Sequence, residues 1–89
     1  MYTVTQASKA SGIGLSTVRQ WSRDYGDFLS PHANPEYGHQ RQYTDEDIAI
    51  LRTVAVLRGQ HVPHNQIPSR LADGERMEPL ESEPETKEG

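Results

Sequence analysis

Between Gly12 and Gly26 the chain reads GIGLSTVRQWSRDYG, and its polar side chains are suited to binding rather than to reaction. On a helix at about 100° per residue, Ser16, Thr17, Arg19, Gln20, Arg23 and Asp24 share one arc. Leu15, Val18, Trp21 and Tyr25 fall within about 120° of one another on the other side. The polar arc offers two guanidiniums, an amide and hydroxyls, with a carboxylate only at its end. An arginine fork matches paired acceptors, and a glutamine amide sets a donor beside an acceptor. The competing reading is an ordinary solvated helix face.

Other constellations carry less. His61 and His64 stand three apart, with His32 and His39 elsewhere. No cysteine accompanies them, and His64 lies between Pro63 and Pro68 in an irregular stretch, so neither a metal site nor a cofactor is expected. Serine, histidine and aspartate are all present, but no nucleophile elbow or oxyanion loop is, which argues against an enzyme.

The elements must bring that polar arc to a surface. With 89 residues, 33% of them hydrophobic, the chain can build one small core. The absence of cysteine excludes disulfides and thiol chemistry. No apolar run has the length of a membrane span or a signal peptide, which leads us to expect a cytoplasmic, nucleoid-associated protein. The net charge of −4 is uneven. Residues 1–74 hold seven Lys/Arg and seven Asp/Glu, whereas 75–89 hold six glutamates against Arg76 and Lys87. Rich in Glu and Pro, residues 75–89 are expected to form a disordered tail or linker after a domain over 1–74. A neutral body leaves room for an anionic partner.

Thr3 and Gln6 form a capping-box pattern before a short helix over about Val4 to Ser11, stopped by Gly12. Gly14 can cap the helix that carries the polar arc, about 15–25, so two short helices joined by SGIG make a helix-turn-helix. In DFLSPHANPEYGHQRQY the helical period is lost. FLSPH and RQY could pair as strands around a long loop, a wing over about 28–43. Thr44 caps a third helix whose acidic first turn, Asp45 to Asp47, suits the helix dipole, and which runs to Gly59. A last two-turn helix would have Pro68 at its first position and Gly74 just past its end.

This order resembles the MerR family of winged helix-turn-helix proteins. YTVTQASKASGIGLSTVRQW is similar to that family's opening helices, including the run Thr17, Arg19, Trp21. GHQRQYTDEDIAILRTV is similar to its wing return and third helix, with Arg41 and Tyr43 before a capped acidic turn. The resemblance covers residues 2 to about 67 and implies a mainly α winged helix-turn-helix with a small two-stranded wing. Three departures stand out. Ser22 replaces the family's usual glutamate, Gln40 adds a residue to the wing return, and the outgoing arm lacks the usual arginines. An acidic tail stands where full-length regulators continue into a dimerising helix and an effector domain.

The resemblance implies double-stranded DNA as the partner, with Ser16, Thr17, Arg19, Gln20 and Arg23 in the major groove. Arginine can grip guanine, glutamine can read adenine, and hydroxyls can reach phosphates. Trp21 and Tyr25 read as core. In the wing, His39 and Arg41 would meet phosphate or the minor groove, or Arg41 would instead pair with Asp45 or Glu46. Tyr43 reads as a core anchor whose free hydroxyl could still join the contact set. Tyr37, near the loop tip, is either a backbone contact or incidental.

The function expected is a sequence-specific DNA-binding domain of a transcriptional regulator. RNA polymerase would then be a further partner, and a homodimer would need additional C-terminal sequence. Without that sequence a monomer or a cooperative array on DNA is expected, and one alternative function is a phage-excisionase-like architectural factor that binds cooperatively and bends DNA. Another is a protein-interaction module using a second apolar surface at Ile50 and Leu57, unless the last helix covers it.

Overall fold

The computed structural model describes residues 1–34 and 40–78. Helix α1, Val4–Ser11, starts at the expected capping box: the Thr3 side chain accepts from the Gln6 amide, and the Gln6 side chain accepts from Thr3 N–H. Gly12 ends it in the left-handed region at φ 80°, with its N–H on the Ser8 carbonyl. The small inward residues Ala7 and Ala10 are buried, which brings α1 close to its neighbours. Helix α2, Leu15–Asp24, follows after Gly14, which caps it without a side-chain bond.

Helix α3, Asp45–Gly59, opens at a second reciprocal box between Thr44 and Asp47. It is buried nearly all round, with Ile48, Ile50, Leu51, Val54 and Leu57 fully enclosed between α1 and the last helix. Ile50 and Leu57 therefore form no second apolar surface, and the expected alternative of their being covered is the one observed. Helix α4, Ile67–Ala72, is preceded by a 3-10 turn at His64–Gln66, and it starts one residue earlier than expected, with Pro68 at its second position rather than its first. Its Ile67 and Leu71 complete the core. Among the described residues, no helix is long and apolar enough to cross a membrane.

The wing departs from expectation. No strand occurs among the described residues, and the outgoing arm forms 3-10 turns at Gly26–Phe28 and Pro31–Ala33 instead. The cause is Asp47. Its buried carboxylate accepts from Ser30 N–H at 2.7 Å and from the Ser30 hydroxyl at 2.6 Å, which fixes the chain in a bend just before Pro31. One ladder-like bond joins the two arms, from Gln42 N–H to the His32 carbonyl at 2.8 Å. Tyr43 pairs with the chain's start instead, in an antiparallel bridge to Tyr2. The loop's central residues, with Tyr37 and His39, lie outside the described residues.

Residues 75–77 also differ from the expected disordered tail. Glu75 receives two hydrogen bonds from Arg70, at 2.7 and 3.0 Å. Arg76 pairs with Glu46 at the start of α3, and Met77 N–H donates to the Thr53 hydroxyl at 2.8 Å. Composition averages over a window and cannot register such individual partners. Residues 79–89 lie outside the described residues.

Candidate nucleic-acid interface

The buried side of α2 is held by Val18 and Ser22, with Trp21 half-buried against the core. Trp21 meets Tyr25 edge-on, with ring centroids 6.4 Å apart, and the Arg58 guanidinium lies 5.8 Å from the Trp21 ring centre. These contacts fix the helix's rotation. Ser16, Arg19, Gln20 and Arg23 are exposed as a consequence, and Thr17 is partly so. The five donors thus lie along one helix as the spacing required. Leu15, assigned to the apolar stripe from the wheel, is 42% exposed instead.

Two open grooves adjoin α2. One, of about 330 Å³, is lined by Thr3, Val4 and Thr5 at the start of α1, Arg19 of α2, and Gln40 and Arg41 before α3. Its two charged linings are both guanidiniums. The other, of about 480 Å³, is lined by Gln20, Asp24, Tyr25, Arg58, His64, Asn65 and Pro68. Thr3, Thr5, Arg58, His64 and Asn65 were not singled out as candidate contacts from the sequence. They come from elements remote in the chain, and only packing brings them beside α2.

Arg41 pairs with neither acidic residue named for it. Its Nη1 donates to the Ala33 carbonyl and to the Asn34 amide oxygen, each at 2.7 Å. The Asn34 amide nitrogen in turn donates to the Ser22 carbonyl at 2.7 Å, tying the wing's base to α2. A Cβ at Gly26 would sit 3.0 Å from that nitrogen, so the smallest residue suits this crossing.

Tyr43 requires a correction. Its side chain is fully buried, and its hydroxyl lies 2.7 Å from the Ser22 hydroxyl. It is neither free nor placed to touch an external ligand, so it leaves the contact set. Ser22 also donates to the Val18 carbonyl, a compact arrangement available to a serine at this departure from the family pattern. His39 falls outside the described residues. His61 and His64 join no group of three or more His, Asp or Glu able to hold a metal among the described residues.

A short helix pair presenting donors on its second member, backed by a helical core, is a helix-turn-helix arrangement. The chain belongs to the MerR HTH family of regulatory proteins, whose family model matches residues 2–70. A curated relative is the HTH-type transcriptional repressor CarH of Myxococcus xanthus, 32% identical over 82 residues. That match covers 92% of this chain and 26% of the relative, so the chain spans a minor part of that protein's length. No solved structure shows a significant match.

Proposed function

We propose that this chain is the sequence-specific DNA-binding domain of a MerR-like transcriptional regulator, with α2 entering the major groove. The observation that carries the reading is the exposed row Ser16, Arg19, Gln20 and Arg23 along the second helix of the pair. Arg19 and Gln20 supply base recognition, and Ser16, Thr17 and Arg23 add base-edge or phosphate contacts. An exposed α2 face with two adjoining grooves suits a duplex whose sugar-phosphate strands border the major groove. Thr3, Thr5, Arg19 and Arg41 would meet one strand, and Arg58 and His64 the other.

The loop over residues 28–43 would lie on the flanking backbone or minor groove, with His39 at its return. Arg41 both braces that loop and leaves the remainder of its guanidinium for phosphate. Because a relative is named a repressor, repression by occupying an operator is the regulatory sense we assign. Dimerisation and contact with RNA polymerase belong to the same proposal.

Selection of duplexes from a random-sequence pool, followed by a salt series, tests this reading. A recovered consensus bound more tightly than scrambled DNA, with affinity falling linearly in log–log salt, is the expected result. Equal binding to selected and scrambled duplexes would refute sequence-specific recognition.

A further inference from the structure

Among the described residues two large apolar side chains are exposed, Met1 at the chain's start and Leu15 at the first position of α2. Leu15 lies at the edge of the apolar stripe, where Val18 is fully buried but Leu15 is not. The residue before it, Gly14, has no side chain, and a Cβ built there would meet nothing within 4 Å, so the chain leading into Leu15 borders open space. Leu15 also precedes Arg19 and Arg23 by one and two turns, on the same row as these exposed guanidiniums.

We infer that Leu15 is a specificity-determining residue that reads the C5-methyl group of a thymine, beside the base contacted by Arg19. The inference rests on the proposed major-groove seat of α2. N-terminal residues of a recognition helix reach base edges. The thymine methyl is the one apolar group that the major-groove edge offers, and it distinguishes T from C, A and G. Phosphate and sugar give an isobutyl side chain no comparable partner. A second copy of the chain is the rival occupant, but the immediate neighbours of Leu15 along its row are charged donors, which are costly to bury in a dry contact.

The test uses the full chain and the highest-affinity duplex recovered from a random-sequence pool. Each thymidine is replaced in turn by deoxyuridine, which deletes one methyl and alters no hydrogen-bonding group. One replacement should weaken wild-type binding by about threefold to tenfold, the range expected for one buried methyl and its packing. Leu15→Ala should bind the parent duplex less tightly by a similar factor and lose sensitivity to that same replacement, with its salt dependence unchanged. Wild-type indifference to every replacement would overturn the inference while leaving the seat of α2 intact, provided Arg19→Ala still lowers specificity. A Leu15→Ala variant that keeps the wild-type methyl sensitivity would also overturn it. If Leu15→Ala changes cooperativity between bound copies and not the methyl effect, the side chain serves a second copy. Absence of any preference for the selected duplex would instead overturn the proposed function itself.

Discussion

Tyr43 and Ser22 share a buried hydroxyl pair that joins the wing return to α2, and removing either member has an unequal cost. Ser22→Ala strands the Tyr43 hydroxyl in the core and should lower stability by about 1–3 kcal/mol. Tyr43→Phe leaves Ser22 bonded to the Val18 carbonyl and should cost less; adding it to Ser22→Ala should recover part of the loss. Urea denaturation of the three variants measures this, and strict additivity would show that the hydroxyls are not coupled. Arg41→Ala removes the hydrogen bonds to Ala33 and Asn34, so it should destabilise by about 1–3 kcal/mol. It should also reduce the salt slope of DNA binding by about one unit, measured well below the unfolding temperature. A full slope with reduced stability would confine Arg41 to bracing the wing.

The helix ends explain what could be read in advance. Thr3 with Gln6, Gly12, and Thr44 with its acidic turn are local signals, because a cap is satisfied within a few residues, and each helix begins or ends where they stand. The wing was not legible for the opposite reason. Ser30 is held by Asp47, 17 residues on, and Asn34 reaches back 12 residues to Ser22. Leu15 was misplaced because a helical wheel gives angles but not which residue covers the stripe's first turn. Helix α3 ends at Gly59, where the sequence places it, but the left-handed residue that closes it is His61. His61 takes φ 66°, with its N–H on the Arg58 carbonyl and Val62 N–H on the Leu57 carbonyl, the pairing pattern that ends a helix through a left-handed residue. Gly74, at φ 93°, ends α4 in the same manner with the residue that position favours. His61→Gly should therefore raise stability by about 0.5–1 kcal/mol, read as an upward shift of the melting temperature. A lower melting temperature would mean that the imidazole makes a compensating contact.

Over the whole molecule, the charge imbalance and the fold meet in residues 75–89. Truncation after Gly74 removes the bonds of Glu75, Arg76 and Met77 to Arg70, Glu46 and Thr53, and should lower the denaturation midpoint. Truncation after Glu78 spares them and removes four glutamates against Lys87, so it should leave the midpoint unchanged. It should also strengthen non-specific DNA binding at low salt, with the gain shrinking near 0.15 M, where the Debye length is about 8 Å. Equal affinities at low salt would make that acidic stretch electrostatically inert.

Recognition of DNA sequence by the exposed face of α2 is tested most directly by Arg19→Ala, compared with wild type on selected and scrambled duplexes across a salt series. The account predicts a loss of about 1–3 kcal/mol on the selected duplex, relaxed preference at one base position, and a much smaller change on scrambled DNA. Unchanged discrimination between the two duplexes would contradict it.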